Sequence, residues 1–132
     1  VNSRKAARQA LAGLIDDIAT FQAVYAREAP DFGGLSPVAM VRSEGTRPGP
    51  ALALGAFHRE HALLISIYWK WQATTEDDLD DLSEDVLDLL EANSGPTANW
   101  DSLTVDEEFS AMDYPVIDGV MYRVEQIRVM VW

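Results

Sequence analysis

Apolar positions recur along this chain with two different periods. Ala7, Leu11, Leu14, Ile15 and Ile18 stand three and four residues apart, which predicts an amphipathic helix, with Ser3 placed as its N-cap. Over 61–71, Leu63, Ile65, Ile67, Trp69 and Trp71 alternate with Leu64, Ser66, Tyr68 and Lys70, the two-residue period of a strand. A second helix is predicted over 76–92. Thr75 opens it, Asp78 follows in the capping-box position, and Leu79, Leu82, Val86, Leu89 and Leu90 form its apolar stripe. Asn93-Ser94-Gly95-Pro96 closes it, since Gly95 accepts a left-handed cap and Pro96 cannot continue a helix.

The remaining elements are written more faintly. Residues 21–26 alternate weakly and read as a short strand, broken by the turn formers of 29–34. Residues 38–42 read as a strand entered through Pro37. Residues 43–50 are mostly turn formers and predict a long loop feeding the apolar run 51–57; a loop of this length in a compact domain is functional or mobile. The acidic segment 97–118 reads as irregular, anchored by Trp100, Leu103, Val105 and Phe109, with a short strand and turn at 114–119. The closing strand 120–132 changes phase between Tyr122 and Val124 and the set Ile127, Val129 and Val131, which predicts a bulge near Glu125 or Gln126. The two strongest apolar stripes each need a partner surface, so the second helix is expected on the face of Leu63, Ile65 and Ile67. The expected fold is a single α+β domain over 1–132, a twisted, mostly antiparallel sheet with two main helices packed on it.

A length of 132 residues, 48% apolar and 24% charged, suits one soluble globular domain. Apolar runs stop at four residues, as in 38–41 and 62–65, far short of a membrane span. No leader or lipidation pattern is read, so secretion by that route is not expected. Cysteine is absent, which removes disulfides, thiolate metal sites and cysteine nucleophiles. The net charge of −12 is concentrated: 71–122 holds fifteen acids and no base. Such a stretch cannot form a phosphate-binding surface, so duplex binding is not the expected task. It suits repulsion of nucleic acid, attraction of a basic partner, or solubility. The first helix carries Arg4, Lys5 and Arg8 at its start and Asp16 and Asp17 at its end, against the helix dipole. Either these charges are simply solvated or the bases face an acidic neighbour.

Chemistry-bearing motifs are lacking. His58 and His61 stand three apart, on opposite faces of a strand, and do not share a metal there. Asp77-Asp78-Leu79-Asp80-Asp81 resembles a calcium loop until Leu82 and Ser83, which occupy a ligand position and the required glycine. No nucleophile elbow, dinucleotide fingerprint or Walker loop is present, and twenty-two acids single out no catalytic pair. No catalytic residue, metal or cofactor is assigned.

The order helix, strand, strand, long loop, strand, helix, acidic segment, closing strand is the most informative feature. With the stretches Ser36-Pro37-Val38-Ala39-Met40-Val41, Ala62-Leu63-Leu64-Ile65-Ser66-Ile67-Tyr68-Trp69, the acidic helix 76–92 and Gly119-Val120-Met121-Tyr122-Arg123-Val124-Glu125-Gln126-Ile127-Arg128-Val129, the chain resembles the tail terminator, or tail completion, proteins of tailed bacteriophages. The resemblance implies a small α+β structural protein, not an enzyme, that forms a hexameric ring on the last ring of tail-tube subunits and stops its growth. It then meets the head-side connector protein, joining tail to head. DNA passes through such a ring without specific binding, no membrane is involved, and the place is the virion tail or neck, assembled in the host cytoplasm. The segment 97–113 is longer than the terminator pattern, so completion and head-closure stations stay open. In a head-to-tail ring, Arg4, Lys5 and Arg8 of one subunit are expected near Asp80, Glu84 and Asp88 of the next. Glu44, Arg47, Leu52, Leu54 and Phe57 are expected on a loop facing the tube or another partner. Two readings of other classes remain: an acidic immunity or inhibitor protein covering a basic toxin or nuclease, and a small carboxylate enzyme, which requires a closed polar pocket.

Overall fold

Two helices lie on one face of a six-stranded sheet in the computed structural model, which describes residues 3–29, 31–53 and 56–132, with the backbone alone at 49–53, 56–58 and 107–113. The elements in order are α1 (Arg4–Asp16), β1 (Ala23–Tyr25), β2 (Val38–Ala53), β3 (Ala56–Lys70), α2 (Thr75–Ala92), β4 (Leu103–Asp113), β5 (Val116–Ile117) and β6 (Val120–Val131). The strands run β1-β2-β3-β6-β4, with β5 paired to β6 off that path. β1 is parallel to β2 and every other pairing is antiparallel. The domain is α+β with an open, mixed, mostly antiparallel sheet, as the periodicities predict.

The main core lies between the helices and the sheet. α1 contributes Ala7, Leu11, Ala12 and Ile15, and α2 contributes Leu79, Leu82, Val86 and Leu90. They meet Ala39 and Val41 of β2, Leu63, Ile65 and Ile67 of β3, and Ile127, Val129 and Val131 of β6 in one cluster. The expected seat of the second helix is therefore correct. Each such leucine or isoleucine contributes about 1.5–3 kcal/mol by leaving water.

The reverse face of the sheet has a smaller core of its own. Phe32, Val38, Met40 and Tyr122 are buried there, with Tyr25 and Tyr68 packed against them. Phe32 is the hub: its ring centre is 4.8 Å from that of Tyr68 and 5.5 Å from that of Tyr122, the latter edge-on at 89°. This second core explains the phase change in β6 and corrects the predicted bulge. Tyr122 and Val124 point to the reverse face and Ile127, Val129 and Val131 to the helix face, while β6 pairs with β3 without interruption from Lys70↔Tyr122 to His61↔Val131. The shift lies instead in β4, between Val105 and Ser110.

Two segments read as irregular are strands. The loop predicted at 43–50 is the outer half of β2, paired with β3 as far as Ala53↔Ala56. Turn formers are tolerated because β1 covers β2 only up to Met40, leaving the outer half of β2 as an edge, where proline is accepted. Register shifts flanking Gly45 and beyond Pro48 absorb the irregularity. Segment 103–113 is β4, also an edge strand, where acids are well suited to blocking further pairing. Its anchors Trp100 and Leu103 are buried; Phe109 lies outside the described side chains. The β5–β6 turn follows its sequence: Asp118 and Gly119 have φ of 50° and 77°, the conformation favoured in a two-residue hairpin.

The helix ends differ from expectation in detail. Ser3 caps α1, its Oγ accepting from the Ala6 amide at 3.0 Å. The N-cap of α2 is Thr74, whose side chain makes no capping bond. Thr75 is buried, donating to the Lys70 carbonyl at 2.8 Å and accepting from the Gln72 amide. It therefore stitches the helix to the end of β3. Asn93, at φ −115°, is the C-cap, and its Nδ2 donates to the Leu89 carbonyl. The closing residues do not use the left-handed glycine predicted at Gly95, because side chains of Asn93 and Ser94 satisfy the last carbonyls instead.

Replacing Leu82 by Ala should lower stability by about 2–5 kcal/mol through the cavity left between helix and sheet, and Leu82→Asp should abolish folding. Thermal denaturation checks this, and a normally melting L82D would contradict the packing. Burial pushes the Tyr122 phenol above its ordinary value, with Asp118 and Tyr25 adding to the effect. The unfolded phenol ionises first, so the resulting stability is whole below about pH 10 and lost as pH climbs through the raised folded value. Tyr122→Phe should show a shallower loss of stability between about pH 9 and 11 in urea titrations; an unchanged slope would remove Tyr122 as the cause.

Candidate functional site

The basic start of α1 lies against the outer part of β2. Arg4 Nη1 donates to Thr46 Oγ1 at 3.3 Å, and Arg8 Nη1 to Ser43 Oγ at 3.2 Å. Their partners within the chain are thus neutral hydroxyls, and Lys5 is exposed. Arg8 also joins Arg27 and Arg42 around a depression of about 340 Å³ bordered by Glu28 and Glu44. Arg42 Nη1 reaches Glu28 Oε1 at 3.4 Å, while the buried Nε atoms of Arg8 and Arg42 have no hydrogen-bond partner among the described residues.

The acidic helix presents the other charged surface. Asp80, Glu84 and Asp88 are exposed and four residues apart, one above the other on the solvent side of α2. At the helix start Glu76 lies 3.8 Å from Arg123. Ser83 is buried and donates to Glu125 Oε2 at 2.8 Å, tying α2 to β6. Among the described residues no ion pair links Arg4, Lys5 or Arg8 to Asp80, Glu84 or Asp88. The chain holds the two expected contact sets on separate elements.

The residues expected on a partner-facing loop sit on a hairpin. Glu44 and Arg47 belong to β2 at its base, and Leu52 and Phe57 to the paired strands farther out. Side chains of Leu52 and Phe57 lie outside the described set, as does Leu54 altogether. Glu44 binds Arg128 Nη2 at 2.8 Å, Asp106 lies 3.9 Å from Arg128 Nη1, and Arg47 Nε meets Glu60 at 2.6 Å. They line an open groove of about 760 Å³ in which opposite charges answer one another. His61 is buried under the hairpin base with its Nδ1 2.9 Å from Thr46 Oγ1, a structural setting. Among the described residues no group of His, Cys, Asp or Glu side chains is arranged to hold a metal ion.

Sequence reading missed an apolar patch at the opposite end of β3. Trp71, Tyr114, Val116 and Met121 are 54%, 47%, 62% and 47% exposed. Trp71 and Tyr114 meet edge-on with ring centres 5.5 Å apart, the Trp71 amide donates to the Met121 carbonyl, and Val116 pairs with Met121. Trp71 continues the alternation of Leu63, Ile65 and Ile67, which assigned it to the buried face. β3 ends at Lys70, one residue before it, and neither helix covers the ring.

No protein-family model matches the sequence, and no curated protein matches it. The described helices include none long and apolar enough to cross a membrane.

Arg128 bridges Glu44 and Asp106 while two-thirds shielded from solvent. Arg128→Met should therefore cost about 1–2 kcal/mol, and less in 1 M salt, where the mutual repulsion of the two carboxylates is screened. Urea denaturation at both salt levels checks this; equal losses would point to packing rather than charge.

Proposed function

We propose that the chain is a structural subunit of a phage tail, assembling as a ring that caps the tail tube and joins it to the head-side connector. The observation that supports this reading most is the separation of charge. Arg4 and Lys5 at the start of α1 and the acidic outer face of α2 are exposed, Arg8 is half-buried beside them, and among the described residues the two sets are not paired with each other. A heterologous, head-to-tail contact pairs one with the other in every copy, and rotation closes the ring. Each exposed ion pair contributes only about 0–1 kcal/mol, so several must act together. Acidic groups near a DNA passage also avoid holding phosphates in transit.

The test is assembly. Mass photometry should find ring-sized particles of the 14.6 kDa chain, and added protein should arrest the growth of tail-tube polymers. A strictly monomeric protein without effect on tube growth would overturn the reading. Changing Arg4 and Lys5, the two exposed bases of this helix start, together to Glu should leave the subunit folded, which circular dichroism checks, yet reduce ring formation. Wild-type rings should weaken as salt is raised, with the Debye length falling to about 3 Å at 1 M.

The exposed carboxylates of α2 also favour a second reading, an inhibitor that covers a basic toxin or nuclease. A stable 1:1 complex with a basic nuclease, and no ring, would select it.

A further inference from the structure

Where β1 stops at Tyr25, opposite Met40, the edge of β2 is left uncovered. Arg27 follows Tyr25 by two residues and Arg42 follows Met40 by two, so both side chains belong to the place where the pairing ends. Arg8 of α1 reaches the same place and donates to Ser43 Oγ at 3.2 Å. Three guanidinium groups from three segments thus border one depression of about 340 Å³. In a chain with a net charge of −12, this gathering of base runs against the overall charge.

The two acids on the rim do not neutralise it. Glu44 is held by Arg128 Nη2 at 2.8 Å, and Glu28, its side chain 76% exposed, reaches only Arg42, at 3.4 Å. Exposed Arg27 makes no ion pair or hydrogen bond among the described residues. Arg8 and Arg42 share a further feature. Each engages its partner through Nη1, while its buried Nε has no partner among the described residues. In a guanidinium the Nε–H and the adjacent Nη2–H point the same way, and this fork grips two oxygens of one oxyanion. A buried donor left unmade is costly, most of all on a charged group.

We propose that Arg8, Arg27 and Arg42 form a binding site for a small phosphate-bearing anion. Arg8 and Arg42 are only partly buried, so rotation of their guanidinium planes turns the Nε edges toward an anion seated in the depression, and Arg42 exchanges its long contact with Glu28 for it. A phosphate group suits three forks arriving from three segments, because it carries up to two charges and its acceptor oxygens point in several directions. A carboxylate is planar and serves one fork well. The ligand is a small molecule rather than a nucleic-acid strand, because Glu28 and Glu44 stand on the rim, where they repel the neighbouring phosphates of a strand. The site stands on these contacts alone and does not depend on the ring reading.

Calorimetric titration of the full chain with inorganic phosphate tests this. One saturable site per chain is expected, with a Kd of about 1 mM or lower. Arg27→Gln and Arg8→Gln should each weaken binding about tenfold through the loss of a charge-assisted bond. Glu28→Gln should strengthen it, since it removes the carboxylate that competes for Arg42. Arg59→Gln, which removes an exposed base outside the depression, should leave it nearly unchanged, and circular dichroism checks that every variant is folded. Absence of saturable phosphate binding overturns the site. Equal weakening by Arg27→Gln and Arg59→Gln overturns it too, because the attraction is then to charge in general. Acetate bound as tightly as phosphate overturns the choice of phosphate. A short oligonucleotide bound more tightly than phosphate, and released by Arg27→Gln, overturns the choice of a small ligand.

Discussion

Burial of the central strand pair on both faces is the constraint that the rest of this structure obeys. β3 and β6 pair without a break from Lys70↔Tyr122 to His61↔Val131. On one side Leu63, Ile65, Ile67, Val129 and Val131 need helices over them; on the other Tyr68 and Tyr122 need Phe32. The period of two leaves no freedom, since a slip of one residue exchanges the faces. Helix placement, the folding of the segment around Phe32 against the reverse face and the uninterrupted course of β6 all follow.

Where that pair ends, the molecule becomes a surface rather than a core. At one end β2 and β3 outrun β6 and become an arm; at the other, Trp71 leaves the strand before the helix covers it. The charge layout follows the same axis only in part. Glu44, Glu60 and Asp106 at the arm base are answered by Arg47 and Arg128 within the chain, whereas the outer carboxylates of α2 point to solvent. Internal compensation at one end and exposed acid along the helix make the charge of the molecule uneven from end to end.

The helices, the core strand and the single α+β domain were legible because their signals are local: a 3.6-residue stripe such as Leu79-Leu82-Val86 or a two-residue alternation such as Leu63-Ile65-Ile67 identifies its own element. The same periodicity leaves Asp80, Glu84 and Asp88 off that stripe, on the side of α2 that the structure exposes. Strand formation at 43–53 and 103–113 was decided by tertiary position. A proline or an acid is unfavourable in a central strand but costs little on an edge, and no local pattern says which strand becomes the edge. The phase of β6 depended on a second core on the reverse face, invisible until Phe32 and Tyr122 are in contact. The exposed patch is the clearest case: Trp71 has the alternation of a core residue, and only the end of β3 at Lys70 leaves it uncovered. Local periodicity determines what an element is; the positions at which neighbouring elements stop determine what remains for another molecule to touch.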